Sequence, residues 1–292
     1  MTATQNKQVR HLIPAQDIDM GGITVKQALP TQNVRQVDPF LLLHHGQFSF
    51  TDTAPALHQG IGPHPHRGFT PVTFVIDGEV QHRDSRGHNQ IAKKGEVQWM
   101  HAGAGIIHSE RPSADLVARN GKQEVIQLWI NSPAAKKMQQ PTYQHIPEQE
   151  LPTKQSADGV FTTKVVAGQY ADVEGKIKTE SEVLVLWSQS TAAGEVTFDI
   201  PSDMNAMLYL IKGSASIKGY GIMESESLAI FAEAGNKITL SSKVPAEFIV
   251  LGGEPLREEL VQQGPFVMNS TTEIMEAMRD YQMGKMGILI EE

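Results

Sequence analysis

The chain has 292 residues, a formal net charge of −8 and no cysteine. This length suits two domains of ordinary size, each with its own core. The negative charge argues against direct binding to nucleic acid or to an anionic membrane, because Lys and Arg dominate affinity for phosphate groups. The missing thiols exclude disulfides, iron-sulfur clusters, cysteine nucleophiles and cysteine zinc sites.

No apolar run approaches the roughly 20 residues that a membrane helix needs. Residues 1–20 contain no uninterrupted apolar segment of the kind found in a secretory signal. We therefore predict a cytoplasmic protein with no membrane partner.

Short strands separated by turns dominate the first half of the chain. Strand-like apolar runs occupy 40–43, 72–76, 79–82 and 124–131. Asp77-Gly78, between the second and third runs, is a strong hairpin signal. The polar, proline-containing stretch 132–147 is predicted to be a linker. Short strands joined by glycine-containing turns indicate a β-sandwich or a β-barrel.

Strand-like runs resume after the linker, at 161–167, 183–187, 194–200, 207–211, 228–231 and 248–251. The segment 207–213 resembles 72–78, because both are apolar strands that end in a polar-Gly turn. This internal similarity predicts a duplicated β-barrel. We place one domain at 1–135 and the other at 146–292.

The chain ends in a predicted helix. Ser270-Thr271-Thr272-Glu273 is a capping-box sequence, and Ile274, Met278 and Tyr281 follow at helical spacing. Their apolar stripe is expected to pack against a barrel. The predicted fold class is therefore all-β, with a short C-terminal helix.

Histidine is confined to the first half of the chain, since none of the eleven follows His145. Within His64-Pro65-His66, and again within His108-Ser109-Glu110, the first and third side chains share one face of a strand. Two such pairs facing each other would form a pocket of three imidazoles and one carboxylate. These donors suit iron, manganese, nickel, copper or zinc. The predicted metal ligands are His64, His66, His108 and Glu110.

The second half of the repeat is predicted to bind no metal. Aligned through the repeat, His64 and His66 match Asp199 and Pro201. The stretch that matches His108 and Glu110 falls near Ile238 and Leu240.

Four other histidines are assigned separately from the predicted ligands. His82 is assigned to a turn. His101 is assigned to a solvated loop, with contact to the site as the alternative. His44 and His45 are adjacent on a strand, so at most one of them is expected to be interior.

Several sequence blocks occur together along most of the chain. They are Asp38-Pro39-Phe40, His64-Pro65-His66-Arg67-Gly68-Phe69, His82-Arg83-Asp84-Ser85, Gln98-Trp99-Met100, His108-Ser109-Glu110, Gln127-Leu128-Trp129-Ile130-Asn131 and Gly264-Pro265-Phe266-Val267-Met268-Asn269. These blocks resemble the pirin family, a branch of the cupin superfamily. The resemblance implies a bicupin, with two cupin-type β-barrels and one metal in the N-terminal barrel. It implies the same four ligands and a divalent metal, Fe(II) in the first place, with Mn, Ni, Co, Cu or Zn as alternatives.

The chain departs from the usual pirin pattern at two places. Thr70-Pro71 follows Gly68-Phe69, where the family usually has Glu-Thr. Proline removes a ladder donor, so the strand is expected to start or bulge at Pro71. His101 stands where the family usually has a small or non-histidine residue.

The resemblance also implies an activity, that of a quercetin 2,3-dioxygenase-like oxidoreductase. Its substrates would be O2 and a small aromatic enol of the flavonol type, and Glu110 could act in addition as the catalytic base. The alternative is an iron-containing, redox-responsive regulator that binds a protein partner instead of turning over a substrate. A third hypothesis, a structural bicupin with a vestigial metal, is disfavoured by the intact ligand set.

Overall fold

The computed structural model describes residues 5–291, and strands dominate them. The strands of the first half are β1 (Val9–Pro14), β2 (Gln16–Asp19), β3 (Thr24–Leu29), β4 (Phe40–Ser49), β5 (Ile61–His66), β6 (Phe69–Asp77), β7 (Glu79–Asp84), β8 (Asn89–Lys93), β9 (Val97–His101), β10 (Ile106–Arg111), β11 (Lys122–Asn131) and β12 (Thr142–Ile146).

The strands of the second half are β13 (Thr153–Gln155), β14 (Phe161–Ala167), β15 (Gln169–Tyr170), β16 (Val173–Glu174), β17 (Val183–Ser190), β18 (Gly194–Asp199), β19 (Asn205–Lys212), β20 (Ser214–Ile217), β21 (Gly221–Glu224), β22 (Ser227–Phe231), β23 (Lys237–Ser242), β24 (Glu247–Gly253), β25 (Val261–Gln263) and β26 (Phe266–Met268). The α-helices are α1 (Ala114–Ala118) and α2 (Thr271–Gln282), and single 3-10 turns cover Ala56–His58 and Glu148–Glu150. The predicted all-β class and the predicted C-terminal helix are both confirmed.

The chain forms two compact units, and each unit takes residues from two separate segments. The first unit comprises Leu42–Glu148 and the segment from Leu256 onward. The second unit comprises the segment up to Leu41 and Gln149–Pro255. The predicted domain boundaries, 1–135 and 146–292, stay a prediction.

Both units contain the same arrangement of antiparallel strands. In the first unit β12, β9, β6, β11 and β4 are neighbours in that order, and a second sheet has the order β5-β10-β7-β8. In the second unit the larger sheet has the order β1-β22-β19-β24-β17-β14-β13, and the smaller one has the order β18-β23-β20-β21. In this order β18 and β23 correspond to β5 and β10.

The two hairpins that revealed the repeat have the same glycine geometry. Gly78 follows β6 with a φ of 76°, and Gly213 follows β19 with a φ of 84°. A Cβ atom would lie 2.1 Å from the carbonyl oxygen of Lys122 at Gly78, and 2.3 Å from that of Pro245 at Gly213. Each turn therefore requires glycine, both for its positive φ and for its close backbone approach.

The match of His64 to Asp199, and of His108 to the stretch near Ile238, stays a prediction. His108 lies opposite His64 in the first unit, and Ile238 lies opposite Phe198 in the second. Two residues separate β5 from β6, whereas five separate β18 from β19, so the offset between the two halves is not constant. Phe198 and Ile238 are buried in one hydrophobic cluster, so apolar core lies on the strands that correspond to β5 and β10.

The expectation that β6 starts or bulges at Pro71 is wrong. Pro71 pairs with Trp129 of β11, and the register there has no shift. In an antiparallel strand, the backbone N–H and C=O groups of alternate residues point toward the same neighbouring strand. The oxygen of Phe69 accepts from the nitrogen of Ala102, next to β9, at 3.0 Å. The nitrogen of Pro71 therefore points toward β9, whose ladder with β6 includes Val72 but not Pro71. Pairing with β11 keeps the strand continuous.

The predicted linker contains a strand. β12 lies within 132–147 and pairs with β9 over five residues, from Thr142 opposite His101 to Ile146 opposite Val97. The stretch lacks the strong apolar alternation of an ordinary strand, because β12 is an edge strand whose residues are only partly buried.

Helix α2 begins as its capping signal predicts. The Ser270 hydroxyl accepts from the backbone nitrogen of Glu273 at 3.2 Å. Ile274 is buried in a cluster with Phe266, and Ile107 of β10 packs against the same cluster. Neither helix in the described part of the chain has the length and apolar character needed to cross a membrane.

Candidate metal centre

Three of the four predicted ligands converge in the first unit. His64, His66 and His108 each offer one nitrogen, and these three atoms lie within 4.8 Å of one another. The ring centroids are 4.3 Å apart for His64 and His108, and 4.9 Å apart for His66 and His108. This spacing brings three imidazole nitrogens close enough to share one ion.

Strand pairing produces this convergence. β5 and β10 are antiparallel neighbours, with His108 opposite His64 and Ile106 opposite His66. His64 and His66 share one face of β5 because strand side chains alternate. The three histidines are therefore brought together by backbone hydrogen bonds within one small sheet.

The outward nitrogen of each ring is already engaged. His64 Nδ1 lies 2.8 Å from the oxygen of Gly62, and His66 Nδ1 lies 3.4 Å from the oxygen of Pro265. His108 Nδ1 lies 3.4 Å from His82 Nδ1. These contacts leave the Nε2 atoms to serve as ligands. Within residues 5–291, the buried Nε2 of His108 has no hydrogen-bond partner, so its lone pair is available to a ligand.

Burial favours the neutral form of two of these rings. It lowers the pKa of His66 and of His108 well below the ordinary histidine value, and the neighbouring His64 lowers both further. The Pro265 carbonyl acts in the opposite direction on His66. A neutral imidazole keeps the lone pair that a metal requires, so the set fits a divalent cation.

Glu110 lies outside the three-histidine cluster. Its carboxylate accepts hydrogen bonds from Gln127 Nε2, at 3.1 and 2.9 Å, and from the Thr73 hydroxyl, at 3.1 Å. It stands two residues beyond His108 on β10, where a register shift places it opposite Ile61 of β5. The pairing of β10 with β7 runs without a shift from His108 to Glu110, so the two side chains share one face of β10. The role of Glu110 as a ligand stays a prediction.

The assignment of His82 to a turn is wrong, and this residue is the one that sequence reasoning missed at the site. His82 is buried in β7 and reaches both His108 and Asp84. Its ring stacks on Tyr143 of β12, with centroids 4.2 Å apart and an interplanar angle of 12°. The alternation of His82 and Asp84 along one strand could have indicated a shared face.

His101 is buried at the end of β9, so its assignment to a solvated loop is also wrong. Its Nδ1 lies 3.3 Å from the Thr70 hydroxyl and 3.4 Å from the Ser132 hydroxyl. It is not part of the three-histidine cluster. His44 and His45 are both buried, so the expectation that at most one of them is interior is wrong. Both faces of β4 are covered at this point.

Two aromatic rings stand beside the histidines. The ring of Trp129 lies 5.3 Å from that of His66 and 4.3 Å from that of Phe69. Trp129 is only half-buried, and its indole nitrogen donates to Gln127 Oε1 at 3.1 Å. One side of the site therefore offers a fixed, partly accessible aromatic surface.

Comparison with known proteins places these features in a family. A family model described as Pirin matches residues 22–130, and a second, described as Pirin C-terminal cupin domain, matches residues 165–287. A pirin-like protein from Solanum lycopersicum is 36% identical over 272 residues, which cover 91% of this chain and 88% of that protein.

The chain belongs to the pirin family. A Pseudomonas aeruginosa protein named as a putative quercetin 2,3-dioxygenase is 34% identical over 252 residues, covering 86% of this chain and 87% of that protein. The crystal structure of quercetin 2,3-dioxygenase from Acinetobacter baumannii is similar with a TM-score of 0.90 and 33% identity, covering 98% of this chain and 100% of that one. The predicted cupin-type barrels are thereby confirmed.

In this pirin chain the segment after Leu256 contributes directly to the surroundings of the histidines. Pro265 supplies the oxygen that faces His66. The Arg67 guanidinium donates to Asp280 of α2 at 3.1 Å and to the oxygen of Ala104 at 2.7 Å. The end of β5 is therefore anchored by residues distant from it in sequence.

Proposed function

We propose that this chain is a metal-dependent dioxygenase that acts on flavonol-type substrates, with His64, His66, His108 and Glu110 as ligands of one divalent metal. The observation that carries the proposal is the convergence of three imidazoles whose Nδ1 atoms are engaged elsewhere. Three imidazoles and a carboxylate suit several divalent ions. Iron is proposed first because the resemblance to the pirin family implies it.

The ion would have one function in the proposed reaction, which is to activate the substrate's enol hydroxyl. A divalent metal at this position would lower the pKa of an enol hydroxyl and favour its anion, which is more reactive toward oxygen. The chain supplies the remaining functions. In this proposal Glu110, whose carboxylate accepts hydrogen bonds from Gln127 and Thr73, takes the hydroxyl proton.

The aromatic surface supports a flat, aromatic substrate. Trp129 and Phe69 lie beside His66 and hold each other at a centroid distance of 4.3 Å. A flavonol ring could pack against the accessible part of Trp129, because aromatic rings attract each other in offset and edge-to-face arrangements. The names of the Pseudomonas and Acinetobacter relatives point to the same class of substrate.

Metal analysis tests the ligand assignment. We expect purified protein to retain about one metal ion per chain, and the His64→Ala protein to lose it. The exposed His11 is the matched control, and His11→Ala should keep the metal. Full occupancy in the His64→Ala protein would overturn the assignment.

Turnover tests the activity. Metal-loaded protein mixed with quercetin without air, and then given oxygen, is expected to consume oxygen and release carbon monoxide, whereas metal-free protein should do neither. If fully loaded protein does neither, the enzyme proposal fails. A protein partner bound in only one oxidation state of the iron would then favour the regulatory alternative.

A further inference from the structure

Behind His108 lies a second buried pair of side chains that the proposed activity does not use. His82 Nε2 is 2.9 Å from Asp84 Oδ2, and His82 Nδ1 is 3.4 Å from His108 Nδ1. His82, Asp84 and His108 are only 2%, 3% and 2% exposed. The three groups therefore form one continuous chain of contacts that solvent does not interrupt.

Asp84 is an acceptor in all its contacts. Its carboxylate accepts from the backbone nitrogens of Arg86 and His88, at 2.8 and 3.1 Å, and contacts the rings of His88 and His82. Burial by itself would raise the pKa of Asp84, but the contacts with His82, Arg86 and His88 lower it to about 2. Oδ1 accepts from two backbone N–H groups and Oδ2 lies between two imidazole nitrogens, so the geometry makes the carboxylate the acceptor of each contact.

The direction of the remaining hydrogen bonds follows from these acceptor contacts. His82 Nε2 faces an acceptor, so it carries the ring proton, and in a neutral ring His82 Nδ1 must then be an acceptor. His108 Nδ1 faces this acceptor and must carry a proton of its own. His108 Nε2 is then left with its lone pair.

We propose that Asp84 and His82 are positioning residues that hold His108 in the Nδ1–H tautomer, so that its Nε2 is ready to bind a metal. This inference rests on the proposed function, because the tautomer matters only if His108 binds a metal. The tautomer itself is set by His82 and Asp84 and needs no ion. Hydrogen bonding to the outer nitrogen of a ligating histidine generally fixes the orientation of the ring and increases its basicity.

Tyr143 holds the ring of His82 in place. Its ring stacks on His82, nearly parallel, with the centroids 4.2 Å apart. His82 therefore cannot rotate away from the line between Asp84 and His108 without losing this contact. The opposite arrangement, with a proton on His82 Nδ1, would force the His108 proton onto Nε2 and block the ligand atom.

Nitrogen-15 NMR of metal-free, wild-type protein tests the tautomer directly. We expect His108 to carry its proton on Nδ1, with an unprotonated Nε2, before any metal is added. A His108 protonated mainly on Nε2 would overturn the proposal. This measurement needs neither a variant nor a metal, so it stays decisive if the proposed metal site fails.

Substitutions at position 82 test the consequence for binding. His82→Phe keeps an aromatic ring against Tyr143 but removes the acceptor, whereas His82→Asn keeps an acceptor oxygen. We expect zinc affinity, measured by competition with a chromophoric chelator, to fall about 10- to 100-fold in His82→Phe and to recover in part in His82→Asn. His108 in metal-free His82→Phe should also populate the Nε2–H tautomer.

His88 provides the matched control. It contacts the same Asp84 oxygen at 2.8 Å but no member of the histidine cluster, and its side chain is 40% exposed. His88→Gln should leave zinc affinity within about twofold of wild type. Equal affinities in His88→Gln and a folded His82→Phe would overturn the proposal. Absence of zinc binding in wild type would instead contradict the proposed function.

Discussion

At the scale of single residues, the site depends on polar groups that are buried and paired. Each histidine of the cluster has a partner for its outer nitrogen, and Glu110 has donors for both carboxylate oxygens. Leaving such groups unpaired in a buried site costs free energy. Two residues outside the predicted ligand set, Gln127 and Lys137, show where this pairing can be tested.

Gln127 is expected to control the position of Glu110. Gln127→Leu removes two hydrogen bonds to the carboxylate, so affinity for a divalent metal should fall about tenfold. Chelator competition measures the change. Gln90→Leu, at an exposed position of β8, is the control and should bind as wild type does. Unchanged affinity in Gln127→Leu would show that Glu110 does not act as a ligand held by this side chain.

Lys137 is expected to be a buried structural clamp. Its ammonium donates to the oxygen of Gly68 at 2.7 Å, to the oxygen of Val267 at 3.1 Å and to Asn131 Oδ1. Lys137→Met leaves these acceptors unpaired, so the free energy of unfolding should fall by about 1–3 kcal/mol. The exposed Lys136 provides the control, and Lys136→Met should have little effect.

The same lysine predicts a pH dependence. Burial lowers the pKa of Lys137 from 10.5 to about 8. The unfolded chain therefore binds more protons than the folded protein between these two values, and stability from this group rises with pH across that window. Denaturant titrations should show wild type gaining stability relative to Lys137→Met from about pH 8 to pH 10.5. A constant difference would contradict the assignment.

At the scale of elements, one small sheet organises the site. β5, β10 and β7 are consecutive neighbours, and they carry the cluster histidines and His82. The larger sheet contributes β6 and β11, whose Thr73 and Gln127 lie opposite each other and both bond Glu110. The turn from β6 to β7 connects the two sheets.

The β6–β7 turn is expected to tolerate only glycine. Gly78→Ala would place a Cβ 2.1 Å from the Lys122 oxygen in addition to the strain of a positive φ, and should cost about 2–4 kcal/mol. Gly284 has a comparable φ of 73°, but a Cβ added there would meet no atom within 4 Å, so Gly284→Ala should cost only about 1 kcal/mol. Equal losses in thermal or denaturant unfolding would exclude the steric explanation.

At the scale of the whole molecule, the first unit is completed by the end of the chain. Pro265 faces His66, Val267 accepts from Lys137, and Asp280 pairs with Arg67. These residues are separated from the strands they support by more than a hundred positions. The site therefore depends on the segment after Leu256, which the predicted boundaries assign to the other domain, 146–292.

Truncation tests this dependence. A chain that ends at Pro255 loses every one of these contacts, so its metal affinity is expected to fall at least about tenfold, with a lower unfolding temperature. A chain that ends at Gly287 keeps β25, β26 and α2, losing instead the ion pair of Arg111 with Glu291. It should bind metal nearly as wild type does. Equal binding by both truncated chains would contradict the assigned role.

The local parts of this molecule were predictable from sequence. Alternation along a strand placed His64 and His66 on one face, Asp77-Gly78 marked the hairpin, and Ser270 marked the start of α2. Each of these features depends on residues within a few positions of one another, so backbone geometry alone decides it.

Only the tertiary structure decided the features that depend on distant residues. The burial of His82 between His108 and Tyr143, the Pro265 oxygen at His66 and the pairing of buried Phe198 with Ile238 in the second unit all arise from strand pairing and loop length. Periodicity cannot show these contacts, because a strand's pattern specifies which face is buried but not what covers it. The sequence by itself therefore determined the candidate ligands, and the fold determined how they are held.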